Sequence, residues 1–141
     1  MENIKEAQLT GYPNVISYES TKKITEQMEK NICKIKIREM QGTGFFSKIP
    51  ILDILVLITN YHVINENVNE IKIKLKEENE SRIINLENRI KYFNKEYDIA
   101  IIEIKDNEIN NYLELDDNLI NDIINNYNKN EEYIDETIYI Y

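Results

Sequence analysis

Residue types that the chain has in short supply exclude several kinds of site. Cys33 is the single cysteine of the 141 residues, so no intrachain disulfide can form and a disulfide-rich secreted scaffold is excluded. This cysteine and the single histidine, His62, cannot supply the three or four protein ligands that zinc needs. The carboxylates of Asp116, Asp117 and Asp122 lack the glycine and the spacing of a calcium loop. We therefore predict no metal site and no cofactor.

Positive charge and long apolar runs are also lacking. The net charge of −9 argues against a nucleic-acid partner, which usually meets a basic face, and against adhesion to an anionic membrane. The longest apolar run, residues 49–58, is interrupted by Pro50 and Asp53, and a membrane-spanning helix needs about 18 or more apolar residues. Residues 1–10 are polar and lack the apolar core of a secretory signal. We expect a cytoplasmic protein without nucleic-acid or membrane partners.

The apolar pattern predicts an all-β domain preceded by a short helix. Residues 20–28 have helical spacing, with Ser20 or Thr21 as the expected cap. From Ile32 onward the period changes to two, which places Cys33 on a buried face. About six short strands at this spacing favour a barrel or a sandwich. The strand-bearing stretches are 32–38, 42–46, 54–59 (buried on both faces), 68–76, 82–93 (one strand or a bent pair) and 98–105.

The chain divides by composition into three regions. Residues 1–31 form an N-terminal arm with the short helix, and residues 32–105 form the β-domain. Residues 106–141 are acidic and rich in asparagine, which predicts a long surface connection with a weak helix at 117–127. This region ends in T-I-Y-I-Y at 137–141, a strand-like segment.

Three motifs within the β-domain carry the chemistry. G-T-G-F-F at 42–46 lets a strand turn tightly or approach another strand closely, because two of its residues lack a Cβ. T-N-Y-H-V-I at 59–64 places His62 just beyond a buried strand, where an imidazole can serve as a general base. Y-D-I-A-I-I at 97–102 places Asp98 before an apolar strand, where a carboxylate can accept a hydrogen bond from imidazole Nδ1–H.

In this order and at these spacings, the three motifs resemble the first barrel of the trypsin-like, chymotrypsin-fold serine peptidases. The resemblance covers roughly residues 32–105, and Val63 after the histidine resembles the members without disulfides. It implies a six-stranded antiparallel barrel of the trypsin-like type, the first half of a double barrel. It also implies that His62 is the general base and Asp98 the carboxylate that orients it, in the hydrolysis of peptide bonds.

The nucleophile that the resemblance requires has no match in these residues. The four serines are Ser17, Ser20, Ser47 and Ser81. None lies in a G-[DN]-S-G loop, none follows Asp98, and no oxyanion hole is recognisable. The resemblance implies that these parts lie on a second barrel, whose first strand residues 137–141 resemble. This chain alone is therefore expected to be inactive.

Two functions follow as expectations. The first is the N-terminal part of a serine endopeptidase acting on polypeptide substrates, with the second barrel absent through a truncated or split gene or supplied by a separately encoded chain. The second is a non-catalytic pseudoprotease fragment that binds another protein, for instance by offering the strand at 137–141 to a partner sheet. Either way, His62 and Asp98 are expected on an exposed face surrounded by apolar residues.

Overall fold

A computed structural model describes residues 15–116 as one helix and a seven-stranded sheet. The N-terminal residues 1–14 and residues 117–141 are outside the described part, and so are the predicted helix at 117–127 and the strand-like segment at 137–141. The elements are α1 (Tyr18–Asn31), β1 (Ile32–Ile37), β2 (Met40–Ile49), β3 (Ile54–Thr59), β4 (Glu70–Leu75), β5 (Arg82–Asn85), β6 (Lys91–Asn94) and β7 (Ile99–Ile104).

The strands form one antiparallel half-barrel in the order β5-β4-β1-β2-β3-β7-β6. The prediction of six strands is wrong by one, because residues 82–93 form a pair of short strands, the second of the two alternatives. Residues 86–90 connect β5, which pairs with β4, to β6, which pairs with β7. At the two ends of this connection, Leu86 N–H donates to the Asn69 carbonyl at 2.8 Å, and Glu103 N–H donates to the Ile90 carbonyl at 2.9 Å. The two outermost strands, β5 and β6, are thus consecutive in the chain.

The core follows the alternation that the sequence predicts. In β4, Ile71, Ile73 and Leu75 are buried, whereas Lys72 and Lys74 between them are exposed. Apolar side chains of this kind leave water when the sheet curls, which is the main favourable contribution to folding. Cys33 is buried in the same core, as predicted.

Strand β3 is buried on both faces, which confirms the interpretation of its uninterrupted apolar run. Leu55, Val56 and Leu57 are all buried. The cross-strand partner of Val56 is Ser47, which is also buried, and its hydroxyl donates to the Leu113 carbonyl at 2.8 Å. The segment that contains Leu113 therefore covers the outer side of the sheet here.

Helix α1 starts earlier than predicted, because its N-cap is Ser17 and not Ser20 or Thr21. The Ser17 hydroxyl accepts the Ser20 N–H at 3.1 Å, which satisfies one of the free donors of the first turn. The helix contacts β1, β2 and β4. Within residues 15–116, no helix has the length and apolarity that crossing a membrane requires.

A partly buried ion pair holds the connection between β5 and β6. Two guanidinium nitrogens of Arg89 lie 2.6 Å from the two carboxylate oxygens of Glu108. Arg89 also donates to the carbonyls of Asn85 and Glu103. The hydrogen bonds from Arg89 lower the pKa of the Glu108 carboxyl, and the bond to Glu108 raises the pKa of Arg89. The pair ties the 86–90 connection to the turn after β7.

Candidate active site

The loop that follows β3 presents His62 to solvent. β3 ends at Thr59, and the carbonyl of Asn60 accepts the N–H groups of Val63 and Ile64, each at 3.1 Å. Val63 and Ile64 are buried, so the tight turn is anchored in the core just after the histidine. The His62 side chain remains 69% exposed. The apolar pair after the histidine therefore positions it at the end of the strand with its ring outward.

Asp98 lies in the turn between β6 and β7, next to the His62 loop. Its backbone is in the left-handed region, with φ of 54°, a conformation that aspartate adopts more readily than most residues. The turn is closed by hydrogen bonds from Tyr97 N–H to the Asn94 side chain at 3.0 Å and from Asp98 N–H to the Lys95 carbonyl at 3.4 Å. β7 begins at the following residue, so the sheet fixes where the carboxylate can point.

The carboxylate of Asp98 contacts His62 at two atoms. His62 Nδ1 lies 2.6 Å from Asp98 Oδ2, and the His62 backbone N–H donates to Oδ1 at 2.9 Å. The side-chain amide of Asn60 donates to the Asp98 carbonyl at 3.1 Å, which ties the two loops together a third time. Nε2 of His62 forms no hydrogen bond with any residue between 15 and 116. The ring is held at one nitrogen and free at the other.

These contacts keep Asp98 ionised. The backbone N–H of His62 is the main cause that lowers the pKa of the Asp98 carboxyl, and the imidazole hydrogen bond and the Tyr61 backbone N–H act in the same direction. Desolvation of the carboxylate opposes them and is second in size to the His62 backbone N–H, but the net direction of the pKa is downward. A carboxylate that stays ionised can hold Nδ1 protonated, which leaves the lone pair of a neutral ring on Nε2.

The first glycine of the G-T-G-F-F motif makes room for the histidine loop. A Cβ at Gly42 would lie 2.5 Å from Cγ1 and 2.6 Å from Cγ2 of Val63, closer than real Cβ contacts allow. One residue further, the Thr59 hydroxyl donates to the Thr43 carbonyl at 2.7 Å. The two motifs therefore pack directly on each other. The sequence predicted a close approach at these glycines but did not identify Val63 as the neighbour.

A shallow groove with apolar walls adjoins Asp98 on the outer face of the sheet. Its volume is about 470 Å³. The lining includes Ile32, Phe45, Ile58 and Ile99, with Thr43, Gly44, Thr59, Asn60, Tyr97 and Leu113 around them. Tyr97 is 71% exposed although it is large and largely apolar. The expected apolar surroundings are therefore found beside Asp98, whereas His62 does not line this groove.

None of the four serines contacts the free nitrogen of His62. Ser47 is buried with its hydroxyl on Leu113, Ser17 and Ser20 lie at the start of α1, and Ser81 is an exposed residue before β5. Burial raises the pKa of the Cys33 thiol to about 12, so this cysteine is not a thiolate at neutral pH. Among residues 15–116, no group of His, Cys, Asp or Glu side chains could hold a metal ion.

Comparison with known proteins gives no relative: no family model, no curated protein and no solved structure matches the chain. The geometry itself defines what the site can do. An imidazole oriented by a carboxylate, with its second nitrogen facing solvent, can accept a proton from a hydroxyl or a water molecule. Asn60, which the sequence placed in the histidine motif without a role of its own, adds a hydrogen bond between the two loops.

Proposed function

We propose that this chain is the histidine- and aspartate-bearing part of a trypsin-like serine endopeptidase. The observation that carries the proposal is the double contact of Asp98 with His62, through Nδ1 at 2.6 Å and through the backbone N–H at 2.9 Å. A carboxylate in this position fixes the tautomer and the orientation of the imidazole. His62 acts as the general base and Asp98 as the residue that positions it.

The proposed reaction uses the free Nε2 of His62. A serine hydroxyl supplied from outside these 141 residues attacks the scissile carbonyl carbon, and its proton passes to Nε2. Asp98, whose pKa is lowered by the His62 contacts, stabilises the imidazolium. The C–N bond then breaks, and the leaving amine takes the proton from Nε2. The resulting acyl-enzyme is hydrolysed by water with His62 in the same two roles.

The serine and the oxyanion hole come, in this proposal, from a second barrel that packs against the dyad. The apolar groove beside Asp98 supports such a contact, because it leaves Phe45, Ile58 and Ile99 partly exposed on the outer sheet face. Burying such a surface against another domain is favourable. The second barrel follows in the full-length polypeptide or belongs to a separate chain, and both arrangements place a serine near Nε2.

The test is activity-based labelling of the protein as its native gene expresses it. A tag inserted at the chromosomal locus allows purification of the product together with any bound chain, followed by reaction with a fluorophosphonate probe. We expect one labelled polypeptide, either the tagged product or a co-purified partner. Changing His62 to alanine should abolish the labelling, because the serine then lacks its base.

The matched control is Lys95→Gln, an exposed residue in the same turn as Asp98. This variant should be labelled like the wild type. If no serine is labelled in the purified wild-type material, the peptidase proposal is wrong. The apolar groove would then support the alternative, a non-catalytic module that binds another protein; the strand at 137–141, which was the expected binding element, lies outside the described residues.

A further inference from the structure

Four lysines form a compact square on the outer face of β1 and β4. The register places Lys34 opposite Lys74 and Lys36 opposite Lys72. All four side chains are exposed, because the alternate residues of both strands, among them Ile35 and Ile73, fill the core. Like charges directly opposite each other on antiparallel strands are destabilising. The lysine square therefore costs stability that another choice of residues would avoid.

The lysine square is also without counter-ions in the described part of the chain. Four other cations of residues 15–116, Lys48, Lys76, Arg82 and Arg89, have a carboxylate within ion-pair distance. The lysine square has no such partner among those residues, and it differs from the other unpaired cations there because its four charges lie side by side on paired strands. A local excess of positive charge on a strongly acidic chain is the kind of feature that recruits an anionic partner.

A groove opens at each end of the lysine square. One, of about 740 Å³, is lined by Lys36, Arg38 and Lys72 and also by Glu39 and Glu70. The other, of about 550 Å³, is lined by Lys34, Lys74 and Lys76 and also by Glu78. Cations outnumber carboxylates in both grooves, three to two in the first and three to one in the second. The line from one groove to the other follows the direction of the strands.

We propose that the lysine square is a docking surface for an acidic polypeptide segment in extended conformation. Alternate residues of an extended chain are about 6.5–7 Å apart, the same spacing that separates Lys34 from Lys36 and Lys72 from Lys74 along their strands. A segment with an acidic residue at every second position therefore places its carboxylates in register with the lysines. The two cross-strand pairs let each carboxylate approach two ammonium groups.

Charge and size favour a peptide over a nucleic acid. A duplex presents phosphates over a length far greater than two lysine rows, and the net charge of −9 would repel the part beyond the square. The square consists of lysines, which act as point charges, and lacks the bidentate and stacking contacts by which arginine and aromatic residues hold nucleic acids. A short acidic segment is attracted by all four lysines and extends little beyond them, so it meets little repulsion from the rest of the acidic chain.

The test measures binding of a defined peptide to the purified chain. The probe is a fluorescein-labelled peptide of about eight residues in which glutamate alternates with threonine, and its control has glutamine for glutamate. Fluorescence anisotropy at low salt should show binding of the glutamate peptide alone, and the binding should weaken as salt rises. The double variant Lys36→Gln/Lys72→Gln should weaken the binding about fivefold or more, from the typical strength of exposed charge pairs.

The control variant Lys22→Gln/Lys23→Gln removes the same charge from the exposed face of α1 and should change binding by less than about twofold. Circular dichroism and thermal unfolding verify that both variants fold. Three results would overturn the proposal: no binding of the glutamate peptide at low salt, equal weakening by both double variants, or tighter binding of a thymidine oligonucleotide that depends on Lys36 and Lys72.

Discussion

Two acid–base contacts of equal length occupy opposite kinds of environment. The Arg89–Glu108 and His62–Asp98 contacts both measure 2.6 Å. In the first, the side chains are 4% and 21% exposed, and in the second 69% and 41%. In the Arg89–Glu108 pair, Arg89 makes four hydrogen bonds, two to Glu108 and two to backbone carbonyls. The exposed pair keeps one ring nitrogen free. The distance is the same in both pairs, and they differ in exposure and in the hydrogen-bonding atom that His62 leaves unused.

The largest effect on stability should come from breaking the partly buried Arg89–Glu108 pair. Glu108→Ala leaves the guanidinium of Arg89 buried without its counter-ion, which we expect to lower the free energy of unfolding by roughly 2–4 kcal/mol. Urea unfolding followed by circular dichroism measures the change. The exposed Glu87 lies on the same connection, and Glu87→Ala should change stability by less than about 0.5 kcal/mol. Equal effects of the two variants would contradict the structural role of the pair.

The second-largest effect should come from the packing of Gly42 against Val63, beneath the loop that carries His62. In Gly42→Ala, the added Cβ would collide with Val63, which anchors the His62 loop, and we expect a loss of about 1–3 kcal/mol from overpacking. Val63→Ala should also destabilise the protein, because it leaves a cavity. The double variant relieves the collision, so its loss should be smaller than the sum of the two single losses. Strict additivity would show that the two motifs do not pack on each other.

Acid should reveal the difference between the pairs. The folded-state pKa of Glu108 is lowered by Arg89, so its contribution to stability is fully present above about pH 5 and is lost as the pH falls below the ordinary glutamate value of about 4.3. The pKa of Asp98 is lowered too, but its exposure makes the contribution small. Glu108→Gln removes the larger of these pH-dependent contributions, and Asp98→Asn removes the smaller one. Between neutral pH and about pH 3, the free energy of unfolding measured in urea should therefore fall less in Glu108→Gln than in Asp98→Asn. A smaller fall in Asp98→Asn would contradict the account.

The smallest effect on stability should come from the histidine itself. Because the His62 side chain is 69% exposed and makes a single side-chain hydrogen bond with residues 15–116, His62→Ala should change the free energy of unfolding by less than about 0.5 kcal/mol. Thermal unfolding of the variant beside the wild type measures this. A loss above about 2 kcal/mol would place His62 among the structural residues and would weaken the case for a chemical role.

Much of the sheet could be predicted from the sequence, because its local rules agree with the fold. The alternation around Cys33 and Ile35 and the uninterrupted run from Leu55 to Leu57 predicted strands that the structure contains. The family resemblance that the three motifs carry also implied that Asp98 orients His62, and the structure places the two side chains in contact. Their catalytic role stays a prediction.

Features that depend on which strands become neighbours could not be predicted. The pattern of residues 82–93 predicted one strand or a bent pair, and the change of partner at 86–90, which decides for two strands, is not visible in the local pattern. Arg89 and Glu108 are separated by the whole of β6 and β7, so no local pattern pairs them. The lysine square is invisible in the sequence for the same reason, since it requires the pairing of β1 with β4.

The central claim is that Asp98 holds His62 with Nδ1 protonated and Nε2 free. Because His62 is the single histidine of the chain, its ring nitrogens can be observed directly by ¹⁵N NMR without assignment. At a pH where the ring is neutral, the wild type should show a protonated Nδ1 and an unprotonated Nε2. In Asp98→Ala this preference should disappear. An Nε2-protonated ring in the wild type, or an unchanged Nδ1-protonated ring in Asp98→Ala, would contradict the account.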